Sequence, residues 1–380
     1  MEKIENILSD LIKINSVFPK EKYLALYLEK TLRRLGFDVK KQYLSKDRWN
    51  IVSSIGTGSK TIMLYAHMDT VPAYSGWSRP PFLLTENASR YFGRGVLDMK
   101  GAIAVFLTAV SELKNINVNL VFVLGVDEEN ISEGAFAFCR KFRRKIDLVV
   151  SLESDAYSGD WPDPFVLTLG RQGRAAVSLM VPGKSAHGAD SKAGVNSINQ
   201  AAKFILALEK MPMLKHQKLG QSSLFVRNIK SHAGSLSVPE QTEIMIDYHT
   251  VLPENTTLAL ERIKNFVDSQ YENDLLESTL KSKYHIGLIK RKTPYLEPFI
   301  TSCKHYLVKV VISFLRNKYG SCNLHYGASV ADENIFAEYL NCPVICLGPV
   351  GGNAHGADEW VCKNSMQELK SIYKGIICTF

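Results

Sequence analysis

The sequence predicts an α/β fold, a mostly parallel sheet with helices on both faces, interrupted by a smaller α+β domain. Three observations predict it. Four short, nearly continuous apolar runs, at 62–65, 120–126, 148–152 and 344–347, read as parallel strands buried on both faces. Stretches of helical spacing lie between them, for instance Ile103, Phe106, Leu107 and Val110, as βαβ units require. From about Gly173 the pattern turns to alternation, the mark of an antiparallel sheet with one solvated face.

Taken in order, the chain opens with MEKIENILSDLIKI, which sets Ile4, Ile7, Leu8 and Leu11 on one helical face with charges opposite. That segment lacks the apolar core and cleavage site of a signal peptide, and no run approaches a membrane span. The first layered segment covers 1–172. The insert covers 173–290: the alternating AAVSLMV, the loop VPGKSAHGAD, the helix-like NSINQAAKFILALEKM and a further strand within SLSVPEQTEIMIDYHTVLP. After RKTPYLEP the layered domain resumes and occupies 291–380.

Chemistry-bearing residues fall at regular places on this plan. His67 and Asp69 stand two apart at the end of the first apolar run, in YAHMDTVP. A metal-binding imidazole usually hands its second ring N–H to a carboxylate, which fixes tautomer and orientation, so an H-x-D pair can supply ligand and orienter together. Asp98 follows in GRGVLDMKG, Glu128 and Glu129 in VDEEN, Glu153 in SLESDA and His355 in GGNAHGADE. In open α/β sheets ligands gather beyond the carboxyl ends of the strands, where His67, Glu128, Glu129 and Glu153 all lie. Imidazole and carboxylate donors of this kind suit zinc and its neighbours.

Each residue also has a plainer reading. His67 and Asp69 can form a buried hydrogen-bonded pair, Asp98 can cap the helix after it, and Glu128 with Glu129 can form a solvated first helical turn. Asp155 shares the side-chain direction of Glu153 if the chain stays extended, and it competes for the same role.

The chain resembles the co-catalytic di-zinc amidohydrolases that include acetylornithine deacetylase, succinyl-diaminopimelate desuccinylase, aminoacylases and glutamate carboxypeptidases. The resemblance rests on HMDTVP, GRGVLDMKGA, DEE and PVICLGPVGGNAHGADEWV and spans nearly the whole length. It implies two zinc ions per subunit, with cobalt or manganese as substitutes. Asp98 would bridge both, His67 and Glu153 would complete one ion, and Glu129 and His355 the other. Glu128 would be the general base and Asp69 the partner of His67. The insert would be a lid that dimerises, and GKSAHGA would place His187 where a histidine reaches a neighbouring active site to stabilise an oxyanion; its plain alternative is a surface-loop histidine. The chain departs from that pattern in three places. Asn130 rather than Gly follows DEE, DYHTVLP lacks the Arg that commonly precedes the leucine-proline turn, and Ala331 rather than Ser or Thr precedes Asp332. The substrate carboxylate therefore lacks its usual anchor; Arg227 and a backbone nest at 348–352 are the alternatives.

Composition narrows the class. The chain has 380 residues, 46% hydrophobic and 22% charged, ordinary values for a soluble enzyme of two domains. A net charge of +8 raises the question of nucleic acid, but the densest basic run, KFRRK at 141–145, has no interleaved aromatics and reads as a helix terminus, so neither a nucleic acid nor a membrane is an expected partner. Seven scattered cysteines without C-x-x-C spacing fit reduced thiols in the cytoplasm. The expected activity is hydrolysis of a linear amide, the removal of an acyl group from an N-acyl amino acid by a homodimer. A dipeptidase or carboxypeptidase on the same scaffold is the alternative, and a metal-retaining binding protein, which has no need of Glu128, the third.

Overall fold

The computed structural model describes residues 3–155, 165–231, 234 and 236–380; Ala156, the last residue of SLESDA, lies outside them. Two compact units are present. One comprises Met1–Gly170, Ile300–Gly327 and Ala331–Phe380, the other Arg171–Phe299 and Ala328–Val330.

In the first unit the four apolar runs become the strands Thr61–His67, Asn119–Gly125, Leu148–Ser151 and Val344–Cys346, adjacent in one nine-stranded sheet. Thr61–His67 pairs in parallel with both Asn119–Gly125 and Leu148–Ser151, and Val344–Cys346 runs parallel to Leu148–Ser151. Antiparallel strands flank this block: Arg48–Ile55 and then Asp38–Ser45 on one side, Val166–Arg171 on the other.

Every residue of Thr61–His67 is buried because both faces of the sheet are covered. Ile62, Leu64, Ala66, Phe122, Leu124 and Val150 join one core with the apolar faces of helices Lys22–Arg34, Lys100–Ser111, Tyr306–Tyr319 and Lys363–Thr379. On the opposite face Tyr65 meets Phe336 of helix Asp332–Tyr339 edge-on at 4.6 Å, and Phe336 meets Phe138 of helix Glu133–Lys141 at 6.3 Å. The N-terminal helix Ile4–Lys13 buries Ile4, Ile7, Leu8, Leu11 and Ile12. Its last carbonyls are satisfied from inside the core: Lys100 Nζ donates to the oxygens of Leu11 at 3.1 Å and Ile14 at 2.8 Å. Burial pulls the Lys100 ammonium down to about 7.

The second unit is a four-stranded antiparallel sheet in the order Ser223–Ser231, Gln241–Thr250, Gly173–Pro182, His285–Leu288. Helices Ser197–Leu208 and Thr256–Glu272 share its core, with Phe204, Ile263 and Val267 set among Val177, Leu179, Ile244 and Ile246. Asn196 caps the first of these helices, its Oδ1 accepting from the amides of Ile198 and Asn199.

Candidate metal centre

His67 ends its strand, and its ring is fully buried. Nδ1 lies 2.9 Å from the main-chain oxygen of Asp69, while the Asp69 carboxylate lies 3.7 Å away. The ring is therefore held by a carbonyl two residues on, and the carboxylate turns its Oδ2 to the amide of Glu129 at 3.0 Å. Either oxygen type can orient a ligating imidazole.

Asp98 divides its two oxygens. Oδ1 lies 2.8 Å from His67 Nε2, and Oδ2 lies 3.0 Å from His355 Nε2. Around these contacts sit two clusters: His67, Asp98 and Glu153, with Glu153 Oε2 3.3 Å from His67 Nε2, and Asp98, Glu129 and His355, with Glu129 Oε2 3.0 Å from His355 Nε2. Within each, one donor atom per residue lies within 4.8 Å of the others, and His67, Glu128 and Glu129 form a third cluster by the same measure. Asp98 does not cap its helix, which starts at Lys100 behind Met99.

Local structure explains how each side chain arrives. Asp127 stands at φ +76°, an uncommon conformation for a residue with a side chain. Its carboxylate accepts from the Glu133 amide at 3.0 Å, from Asn130 Nδ2 at 3.2 Å and from Arg48 at 3.2 Å, and Arg48 is held in turn by Glu21 through a two-point pair at 3.0 and 2.6 Å. That network fixes the turn from which Glu128 and Glu129 project. Asn130, the residue that follows DEE, is one of its members. Glu153 follows its strand with its main chain against Gly348, where any Cβ would overlap the Glu153 carbonyl. Asp155 is turned to Cys346 Sγ at 3.6 Å, so Glu153 is the carboxylate that the structure groups with His67 and Asp98.

His355, at φ +62°, lies between the short strands Gly351–Gly352 and Trp360–Cys362, which join Arg90–Phe92 and Thr85–Glu86 in a small antiparallel sheet. This arrangement carries the two residues that sequence reasoning left without a role, Arg94 and Glu359. Arg94 Nη1 is 2.7 Å from Glu359 Oε2, and both side chains are at most 1% exposed. Charged residues inside GRGVLDMKG and GADEW, among neighbours that are mostly small or apolar, were the available signal.

The electrostatics ask for cations. The Asp69 carbonyl can only accept, so Nδ1 of His67 carries the proton and Nε2 of the neutral ring presents a lone pair to two carboxylates. Such an arrangement repels unless a cation intervenes or the ring is protonated. Without one, protons take that place. Hydrogen bonds to Asp98 and Glu129 push His355 up to about 10. Burial opposes charging His67, but hydrogen bonds to Asp98 and Glu153 outweigh it and raise the ring well above its ordinary value. Burial, aided by the Asp98 charge, pushes Glu153 up to about 8, and burial raises Glu128 well above the carboxylate range. Burial also opposes the Asp98 charge, yet the two histidines hold its carboxyl well below the ordinary range. Glu129 Oε1 is buried without a hydrogen-bond partner among the described residues. Adjoining imidazole and carboxylate donors with an orphaned oxygen fit a pair of first-row divalent ions.

The second unit holds the remaining sequence candidates. His187 is exposed, and its Nδ1 accepts from the Ala189 amide at 3.1 Å. Arg227 lies 3.3 Å from Asp247, which Arg174 grips through two bonds of 2.6 and 2.7 Å. In the first unit the run at 348–352 is largely engaged: Val350 donates to Ser365 Oγ at 3.1 Å, and Gly351 and Gly352 pair with Val361 and Trp360.

Known proteins resemble this chain over nearly its whole length. Residues 63–379 match the sequence model of Peptidase family M20/M25/M40. Among curated relatives, succinyl-diaminopimelate desuccinylase of Buchnera aphidicola subsp. Cinara cedri is 26% identical over 97% of this chain and 96% of its own length. Acetylornithine deacetylase of Buchnera aphidicola subsp. Acyrthosiphon pisum is 26% identical over 91% of this chain and 88% of its own. Among solved structures, an M20 family metallo-carboxypeptidase from Sulfolobus solfataricus superposes with a TM-score of 0.77 at 18% identity, covering 99% of both chains.

Proposed function

We propose, for a chain that belongs to Peptidase family M20/M25/M40, the metal-dependent hydrolysis of a linear amide, namely the removal of an acyl group from an N-acyl amino acid. The observation that carries the proposal is the division of Asp98 between His67 and His355, with the half-buried Glu128 grouped with His67. The desuccinylase and deacetylase relatives support the N-acyl amino acid as substrate class.

In this reading His67, Asp98 and Glu153 would hold one zinc ion and Asp98, Glu129 and His355 a second, with Asp69 orienting His67. Bound there, the ions supply Lewis-acid polarisation of the scissile carbonyl and lower the pKa of the attacking water. Glu128 accepts the proton of that water and returns it to the leaving amine nitrogen, so the C–N bond breaks with the amine neutral and the acyl group leaves as its acid. The experiment is a panel of N-acetyl, N-succinyl and N-formyl amino acids together with dipeptides, assayed with zinc or cobalt supplied and again after chelation. Free acyl acid released only in the metal-loaded state is the expected result. Two free amino acids from dipeptides, with N-acyl substrates untouched, would move the chain to the peptidase alternative, and turnover that survives chelation would remove the metal mechanism.

His187 is assigned the oxyanion donor, given across a homodimer. Losing one such donor costs about 10²–10³-fold in turnover. His187→Ala is expected to lower kcat by that order with metal content unchanged. Mixed with inactive Glu128→Gln chains it should regain part of the activity, since one site of the heterodimer then has both groups intact. No recovery in a sample shown to exchange subunits would end the cross-chain role. None of the seven cysteines forms a disulfide, which supports a reducing, cytoplasmic setting; no described helix is long and apolar enough to cross a membrane.

A further inference from the structure

We infer that the buried Arg94–Glu359 pair is a positioning brace that sets Asp98 and His355 at one spacing and so determines how tightly the centre holds its ions. The inference rests on the metal reading above. Glu359 Oε1 accepts the amides of Leu97 at 2.9 Å and of Asp98 itself at 3.1 Å, while Oε2 accepts the Gly95 amide at 2.9 Å and Arg94 Nη1 at 2.7 Å. Both carboxylate oxygens are thus committed to the loop that delivers Asp98. Arg94 Nη2 donates to the carbonyls of His355 at 3.2 Å, Gly356 at 2.9 Å and Pro72 at 3.3 Å. One ion pair therefore ties together three segments far apart in sequence: the turn after His67 and Asp69, the Asp98 loop and the His355 loop.

The chemistry of the pair explains why these residue types stand here. A loop carrying three inward-pointing amides needs an acceptor with two oxygens and a full charge. The Glu359 carboxylate on one side and the carbonyls on the other need donors on two separate nitrogens, Nη1 and Nη2, which a planar guanidinium supplies and an ammonium does not. Each member also neutralises the other, and neither charge can stand in this interior alone. The small sheet completes the frame, since Phe92 pairs with Trp360 and the Gly93 amide donates to the Glu359 carbonyl at 3.1 Å. Glu359 touches no reacting atom on this reading; it acts through Asp98, and Arg94 acts through His355.

The test is cobalt(II) binding to the full chain, read by competition with a coloured chelator and by the visible absorption of the bound ion. Glu359→Gln keeps the volume but turns an amide NH2 toward groups that are themselves donors. Removing an outer partner of a metal site costs about 10–100-fold in affinity, and a loss of that size with an altered cobalt spectrum is the expected result. Ile372→Ala, a cavity in the buried face of helix Lys363–Thr379, serves as the control that lowers the melting temperature without touching the brace. Equal affinity loss in the control at an equal fall in melting temperature would reduce the pair to general stability and overturn the inference. Should Glu359→Gln not fold, Arg94→Lys is read by the same criteria, because it keeps the charge and removes the fork. A wild-type chain that takes up no ion overturns the metal reading and the brace with it; a wild-type chain that loads while the variants load equally tightly overturns the brace alone.

Discussion

Asp98→Ala is expected to yield a folded chain that takes up neither divalent ion and has no measurable amidase activity. The two oxygens of Asp98 face different imidazoles, at 2.8 and 3.0 Å, so among the described residues no other single side chain belongs to both clusters with a separate oxygen for each. Glu153→Ala, by contrast, takes a donor from the His67 cluster only, and Asp155→Ala removes none. Metal analysis of the three purified variants after reconstitution checks this ordering. Two ions retained by Asp98→Ala would show that the centre is not shared through this carboxylate. An ion lost in Asp155→Ala but kept in Glu153→Ala would exchange those two roles.

The same centre fixes the direction of pH dependence. In the metal-free site His355 holds its proton up to about 10 and Glu153 up to about 8, the first through hydrogen bonds to Asp98 and Glu129, the second through burial. Ligating nitrogens and oxygens must be free of protons, so loading near neutral pH releases them and affinity rises with pH.

Much of this was legible in the sequence, for a reason that particular residues make plain. The runs at 62–65, 120–126, 148–152 and 344–347 are apolar at successive positions, which only a strand covered on both faces requires, and the four became the parallel block. Asp38–Ser45 and Arg48–Ile55 escaped notice because their burial is mixed and broken rather than continuous. In the insert, helix Thr256–Glu272 and strand Ser223–Ser231 carry too many charged and polar residues for their periodicity to stand out. The candidate ligands were legible because His67, Glu128, Glu129 and Glu153 follow apolar strands directly. Their supports were not. Arg48, Arg94, Asp127 and Glu359 act through contacts with residues distant in the chain, and nothing in local spacing pairs position 94 with 359 or 48 with 127. The hold on His67 was read as a carboxylate and is a main-chain carbonyl, a distinction that residue spacing does not contain.

Glu128→Gln is expected to separate chemistry from metal binding. The substitution preserves volume and leaves His67, Asp98, Glu129, Glu153 and His355 untouched, so both ions should load with native affinity. What it removes is the proton acceptor. General acid–base catalysis contributes about 10²–10⁴-fold. A group that both takes the proton from water and gives it to the amine belongs at the upper end, so kcat should fall by about four orders of magnitude, or roughly 5 kcal/mol of barrier, with KM little changed. Glu128 is suited to that exchange by its surroundings. Burial raises its carboxyl well above the ordinary range, and the charges of Glu129, Asp332 and Glu153 push the same way against that of His67. Two positive ions in the centre would pull it back down, toward the neutral range in which a base can both accept and return a proton. Turnover, KM and metal content measured on one preparation decide the matter. Near-native kcat with both ions bound would leave Glu128 as a carboxylate of the 127–133 turn and require another base. A parallel loss of metal would instead make Glu128 a ligand, in keeping with its place beside His67 and Glu129.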